Sequence, residues 1–383
     1  MKNTSKCTLA LLTLMMSVML VVLSSCASFV QVKGLVPAEI DLGKYRNLAV
    51  ASTKSFSFNS YGRPSAWVRS VGAGNVSVAS GIPRNLEAQV ASYATDRLVN
   101  TLQQTGFFKL VLPEVTDAYI AGSSIGLDSF SLLRQAGATA LMNSAINYMD
   151  CDEYVYSKLK TKWVPDEYTT DANGRQVFVP GHEIIVGTDY YLVQTATVTF
   201  SYSIIDLATG VVLAARSFSD KVSQETELGR YDSFAPSVVP LYTKMLDAFQ
   251  EGLRRQLAPN WVTRTVYLMS NKPKNDAAKE AYKQVDKGNL QIAYVLFHDQ
   301  WTESMHVPSG YNASLMLEAV GDLNGALSLM QQVYDYSHDP QCYEALSRMQ
   351  RALAERAKAE EQLAGGGAAK DGGVSVTQVV TGN

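Results

Sequence analysis

From Gln194 to Ile205 the side chains alternate almost perfectly. Ala196, Val198, Phe200, Tyr202 and Ile204 fall on one side, and Thr195, Thr197, Thr199, Ser201 and Ser203 on the other. A period of two fits a half-buried strand and excludes a helix, whose apolar positions recur every three or four residues. Asp206-Leu207-Ala208-Thr209-Gly210 supplies turn residues and Val211 to Phe218 returns, so the pattern predicts a hairpin with one face in a core and one in water. A lone hairpin is barely stable, so other elements must cover its apolar face. Two stretches have the right spacing. After Pro83, Leu86, Val90, Tyr93 or Ala94, Arg97 or Leu98, and Leu102 recur as on a helix; between Pro236 and Gln256, Leu241, Met245, Phe249 and Leu253 do the same.

The remaining segments between 47 and 270 fit the same layer. Asn47 to Ala51 reads as a short buried strand, and Gly106 separates the first helix from a strand over Phe107–Leu112 that Pro113 ends. Ser129 to Ala136 carries Phe130, Leu133 and Ala136 on one face, Gly137 breaks it, and Ala138 to Ile146 reads as a buried strand. Asp171-Ala172-Asn173-Gly174 is a turn signal expected to join Lys158–Val164 to Gln176–Val179 in a second hairpin. Val262 to Met269, after Pro259, reads as a last strand, and Ser52 to Gly81, rich in Ser, Gly and Asn, as a mobile loop carrying Tyr61, Trp67 and Val68.

The C-terminal part repeats itself. Gly288-Asn289-Leu290 with Ala293 and Phe297 recurs as Gly321-Asp322-Leu323 with Ala326 and Met330, an offset close to the tetratricopeptide period. A small residue turns one helix into the next, and Ala293 or Ala326 lets the pair approach closely. Tyr282, Leu315 and Leu317 supply apolar knobs, while Pro308 and Pro340 fall where each repeat should end. Two repeats need a cap, for which a charged helix from Gln341 to about Leu363 is suitable. Gly365-Gly366-Gly367 opens a flexible tail over 364–383. The expected fold class is therefore α+β, a mixed α/β sheet domain with β-hairpins over 47–270, followed by a small all-α helical-repeat domain over 275–363.

The first 25 residues predict where such a chain goes. Lys2 and Lys6 precede an apolar run, Leu9 to Leu23, that as a helix spans roughly 22 Å at about 1.5 Å per residue, short of the roughly 30 Å hydrocarbon core. Leu23-Ser24-Ser25-Cys26 resembles the lipobox of bacterial lipoproteins, which implies a signal peptide over 1–25 and an acylated Cys26 at the mature N terminus. Residues 26–46 then read as a lipidated tether. Ala27 is not the aspartate linked in that family to inner-membrane retention, so the expected location is the outer membrane, facing the periplasm. Loss of Lys2 and Lys6 moves the formal charge from −3 to −5, which gives no electrostatic footprint for nucleic acid. Cys151 and Cys342, the thiols left after Cys7 and Cys26, read as two buried residues in different domains.

No motif nominates chemistry. His182, His298, His306 and His338 lack zinc spacing, Ser157-Lys158-Leu159-Lys160 matches an acyl-transfer signature without its partner motifs, and Asp150, Asp152 and Glu153 read as a solvated turn. No enzyme, cofactor or metal is expected. Tyr is frequent at 20 residues, and Tyr61, Tyr154, Tyr156, Tyr168, Tyr190, Tyr191 and Tyr231 sit in polar surroundings, as at interfaces.

The Asn47–Ala51 strand, the following helix, the Gly137-Ala138-Thr139-Ala140-Leu141-Met142 entry into a strand and the Asp206-x-x-Thr209-Gly210 hairpin resemble the curli-export lipoprotein family over roughly 40–270. As a whole the chain is similar to a lipoprotein family of Gram-negative gut bacteria that pairs such a domain with C-terminal tetratricopeptide-like repeats. The repeat resemblance implies a partner groove on the first helix of each pair, at Tyr282, Val285 and Asp286, then Tyr311, Leu315 and Glu318. The expected function is a non-enzymatic adaptor or scaffold that is bound to the membrane by lipid, contacts other envelope proteins and is open to oligomerisation. An oligomeric secretion pore is the alternative, and would need membrane strands of about 9–11 residues. Lys158–Val164 and Gln176–Val179 look too short for it. An enzyme acting on envelope polymers is a third reading, for which no acid/base pair stands out.

Overall fold

The computed structural model describes residues 28–58, 64–74, 76–122, 128–229 and 233–365. The chain divides into two units. One is Ala38–Ala258, and the other joins the described residues up to Pro37 to Pro259–Leu363.

In the first unit the alternating stretch becomes the centre of a mixed sheet. Its strands are β2 (Asn47–Val50), β3 (Arg69–Val71), β4 (Lys109–Val111), β5 (Ala140–Val164), β8 (His182–Asp206) and β9 (Val212–Leu228), in the order β4-β2-β5-β8-β9 with β3 beside β5. β2 runs parallel to β4 and β5, whereas β5–β8 and β8–β9 are antiparallel. The period of two does what the sequence requires: Ala196, Val198, Phe200, Tyr202 and Ile204 are all buried, and the intervening Thr and Ser side chains are half-buried. Two helices cover the buried face, α1 (Leu86–Gln104) and α4 (Val239–Leu257), through Leu86, Val90, Leu98 and Leu102 and through Leu241, Tyr242, Met245 and Leu253. Each such side chain contributes about 1.5–3 kcal/mol on leaving water. Helices α2 (Pro113–Gly122) and α3 (Ser129–Gln135) border a separate cluster around Leu133, Leu141 and Leu207. Pro113 does more than end a strand: it opens a helix, because its fixed φ and missing N–H suit a first helical turn.

Three connections differ from expectation. β5 does not stop near Ile146 but runs on for 25 residues, with a register shift between Ile146 and Tyr148 that returns its buried face to phase. Gln176–Val179 (β7) pairs with Glu167–Thr170 (β6) around the Asp171–Gly174 turn, while Lys158–Val164 pairs with residues 182–189 of β8. The loop after Ser52 is held at several described points. Thr53 N–H donates to Thr95 Oγ1 at 2.9 Å, and the buried Glu153 carboxylate accepts from Ser80 Oγ, from Gly81 N at 3.2 Å and from Gln194 Nε2 at 2.7 Å. Glu153 is therefore a strand residue that staples the loop, and not part of a solvated turn. Gly81 is required there, since a Cβ would lie 1.7 Å from the Pro236 carbonyl oxygen.

The second unit contains α5 (Ala278–Asp286), α6 (Leu290–Ser304), α7 (Val307–Ala319), α8 (Leu323–Ser337) and α9 (Pro340–Ala364). The repeat extends to the backbone. Gly288 and Gly321 take φ of 77° and 95°, and Met305 and His338, also one repeat apart, both take φ of 51° at helix C-caps. Pro308 and Pro340 open the next helices and do not close repeats. Ala293 and Ala326 are fully buried, as close approach demands, and Gly310 is equally constrained: a Cβ there would meet Val333 and Trp301 under 3 Å.

The described part of the expected tether, residues 28–46, is not free. Phe29–Val36 is strand β1, paired antiparallel over its whole length with β10 (Asn260–Tyr267). Val30 and Val32 share the helical core with Leu268 and Met269, so both strands belong to the helical unit. Beyond them Ala38 and Leu42 are buried, and Ile40 N–H donates to Gln256 O at 2.9 Å in the α/β unit. Cys151 and Cys342 are free and buried, one in each unit, and burial pushes their thiols up to about 12 and about 11.

Two stability tests follow from these contacts. Glu318 lies buried in a two-bond ion pair with Arg348, so Glu318→Gln should cost about 3 kcal/mol, read as a lower urea midpoint with an unchanged slope. At the β8–β9 turn, the Asp206 carboxyl is held below the usual range, first by Ala208 N–H at 2.8 Å and then by the Thr209 and Tyr45 hydroxyls. A depressed folded pKa stabilises above the unfolded value of about 3.9 and is lost as pH falls through it. Asp206→Asn should therefore lower the urea midpoint at pH 7, with the difference from wild type shrinking as pH falls below the unfolded value.

Candidate functional site

Beyond Tyr156, β5 and β8 leave their neighbours and continue as a two-stranded arm. β3 pairs only with Tyr154–Tyr156 and β9 only as far as Tyr190, so among the described residues both outer edges of the arm lack a strand partner. Period-two geometry and the register assign its faces. Leu159, Thr161 and Trp163 continue the face that carries Cys151 and Val155 in the core, and Ile185 lies opposite Thr161. The other face presents Lys158, Lys160 and Lys162. One side thus carries Leu159, Trp163 and Ile185 together with Thr188 and Glu183, which accepts from Thr161 Oγ1 at 2.8 Å, and the other carries the three lysines with Ile184.

The apolar side is uncovered. Leu159, Trp163 and Ile185 are 64, 62 and 64 % exposed. Further along, Tyr168 on β6 and Phe178 on β7 are exposed partners with ring centroids 5.3 Å apart. The tip is ordered by Asp171, whose carboxylate accepts from Asn173 N and Arg175 N, each at 2.8 Å. Asp166 Oδ1 accepts from Gly181 N at 2.5 Å at the base of the tip, and a Cβ at Gly181 would strike the Trp163 ring. On the lysine side the charges are distributed. Lys158 Nζ lies 4.3 Å from the Tyr191 ring centroid and 3.4 Å from Glu225, and Lys160 pairs with Asp189 at 3.5 Å. Tyr156 stacks on Tyr191 and donates to Glu225 Oε2 at 2.6 Å, the main cause holding that carboxyl below the usual range.

The groove positions are placed differently. Val285, Tyr311, Leu315 and Glu318 are buried in their own unit, and α7 is buried along most of its length. Tyr282 is half-buried, edge-on to Phe297, and its hydroxyl donates to Met269 O at 2.6 Å. Asn312 grips the same residue, accepting from Met269 N at 2.8 Å and donating to Met269 O at 3.0 Å. Only Asp286 is exposed, accepting from Ser28 Oγ at 3.2 Å. The inward face of these helices is thus filled by the chain's own segment after β10. Sequence periodicity marks such positions as apolar without saying what fills the space against them.

Cys26, Tyr61 and Tyr231 lie outside the described residues. Among the described residues no group of three His, Cys, Asp or Glu side chains could hold a metal ion, and no helix is long and apolar enough to cross a membrane. His306, eight residues from His298, is buried, its ring nitrogens 2.7 Å from Ser309 Oγ and 2.8 Å from Pro273 O.

No protein-family profile matches the sequence, and no curated protein matches it. Solved structures with similarity include two of the PelC dodecamer from Paraburkholderia phytofirmans. The one in space group C2, a point variant, has 12 % identity and a TM-score of 0.24, covering 60 % of this chain and 99 % of that one. The one in space group P6 has 12 % identity and a TM-score of 0.22, covering 60 % and 97 %. Lipoprotein GNA1162 from Neisseria meningitidis is similar at 9 % identity and a TM-score of 0.21, covering 54 % and 96 %. At these values the function has to be read from the residues of this chain.

Because the arm's apolar side chains contact little of their own unit, Leu159→Ser with Ile185→Thr should shift unfolding free energy by no more than about 0.5 kcal/mol per site. Chemical denaturation checks this, and a larger loss would mean that the arm's apolar face is folded against its own body.

Proposed function

We propose that this chain is a non-enzymatic envelope lipoprotein, anchored by acyl chains on Cys26 to the outer membrane and facing the periplasm, where it serves as an adaptor for other envelope proteins. The observation that carries the adaptor reading is the uncovered arm. Three large apolar side chains stand in water on one face of a ribbon whose edges are unpaired among the described residues, and about 1.5–3 kcal/mol per side chain is available to whatever covers them. The lysine row on the reverse face keeps the arm soluble until it is covered. The anchoring reading is supported by Leu23-Ser24-Ser25-Cys26 after an apolar run too short to span a bilayer. More than one acyl chain at about 0.8 kcal/mol per buried CH₂ holds a water-soluble body on a membrane almost permanently. The helical repeats, read as tetratricopeptide-like, hold the chain's own segment after β10 on their inward faces.

A second reading, an oligomeric secretion pore, draws on the same arm. β5 and β8 are 25 residues long, and although only about eight residues of each lie beyond their sheet neighbours, the β5 end sets Leu159 and Trp163 against Lys158, Lys160 and Lys162.

A photo-crosslinking side chain placed at Leu159 or Ile185 in living cells tests the adaptor, with Tyr336 on α8 as an exposed control. Adducts with a different polypeptide from the arm positions alone are expected. Adducts of the chain with itself, together with conductance in planar bilayers, would favour the pore; equal adducts from Tyr336 would remove the arm as the contact surface. Mass spectrometry of the mature polypeptide should find Cys26 acylated, and Cys26→Ala should release the protein from the membrane fraction.

A further inference from the structure

We infer that the helical unit lies on the lipid bilayer through the end of the β1–β10 ribbon where Phe29 pairs with Tyr267. This deepens the anchoring reading and rests on acylation of Cys26. The carbonyl of Ser28 accepts from Leu268 N at 2.9 Å and its hydroxyl donates to Asp286 Oδ1 at 3.2 Å, so Ser28 is fixed to the unit through backbone and side chain. Two residue steps separate it from Cys26, a reach of about 7 Å at full extension. The headgroup zone of one leaflet is of similar depth, roughly 5–7 Å, so a cysteine whose chains enter the hydrocarbon holds Ser28 within or against that zone.

The side chains at this end suit that position. Phe29 and Tyr267 are 52 and 60 % exposed, with ring centroids 6.3 Å apart in an edge-to-face pair. Aromatic rings favour the interfacial depth, and Tyr combines an apolar body with a polar tip there. The outward face of the ribbon then turns polar. Gln31 opposite Thr265 and Lys33 opposite Thr263 come next, before Trp261 appears near the far end, six rungs or about 20 Å from Tyr267. With an acidic mature chain, the attraction is apolar and not a lysine-to-phosphate one.

The test uses the full acylated protein in vesicles of equal parts phosphatidylethanolamine and phosphatidylglycerol. A thiol-linked fluorophore is placed by Phe29→Cys or, further along the same face, by Lys33→Cys; Cys151 and Cys342 are buried and do not compete. Lipid brominated near the headgroup end of its chains should quench the probe at position 29 about threefold and leave the probe at 33 near its unquenched value. Urea midpoints matching wild type establish that both variants are folded. Equal quenching at the two positions, with the acyl mass present on Cys26, overturns this inference and leaves the anchoring reading intact. Absence of the acyl mass overturns both.

Discussion

The pairing of Phe29–Val36 with Asn260–Tyr267 is the constraint on which the organisation of this chain depends. It makes the α/β unit an insertion between two strands of the helical unit. Closing a flexible loop of that size would cost about 5 kcal/mol in chain entropy. The inserted unit removes most of this cost by folding. Glu39 N–H donates to Arg255 O at 3.3 Å and Ile40 N–H to Gln256 O at 2.9 Å, so the chain enters and leaves that body side by side. The ribbon in turn supplies Val30 and Val32 to a helical core that two repeats and a cap would otherwise leave open.

Elements whose two faces differ were legible in the sequence. The alternation through Ile204 and the helical spacing through Leu102 and Leu253 state which side is buried, and the Gly288–Gly321 offset states that a unit is repeated. What could not be read is pairing across distance. Val30 and Val32 alternate with Gln31 and Lys33 as a strand should, yet nothing local names Val266 or Arg264 as their partners, and the stretch reads as a tether. Lys158–Val164 likewise reads as pairing with the nearest expected strand, Gln176–Val179, which is taken up by Glu167–Thr170, while its actual partner is 182–189. The candidate site divides in the same way. Leu159 and Trp163 resemble core residues until the coverage above them is known to end, whereas Tyr311, Leu315 and Glu318 resemble groove residues until Met269, Arg348 and the rest of the core are seen against their helix.

These two surfaces give the proposed adaptor a division of labour. The inward repeat surface is satisfied by Asn312 and Tyr282 gripping a single residue, Met269, which leaves little inward apolar surface for a partner. The arm has the reverse character: its backbone edges are unpaired among the described residues and its large side chains uncovered. A repeat module that presents its concave face and a sheet that conceals its apolar one would be the ordinary arrangement.

An N-terminal strand whose partner is encoded more than two hundred residues later has a consequence for biogenesis. However the chain reaches its folding compartment, an N terminus that enters first precedes Asn260–Tyr267 by more than two hundred residues. For that interval Val30, Val32 and Leu35 have no ladder to join. The inserted body, complete in itself between Ala38 and Ala258, can mature first and present both loose ends together. Assembly from the middle of the polypeptide outward would make the first of these segments among the last to find its place.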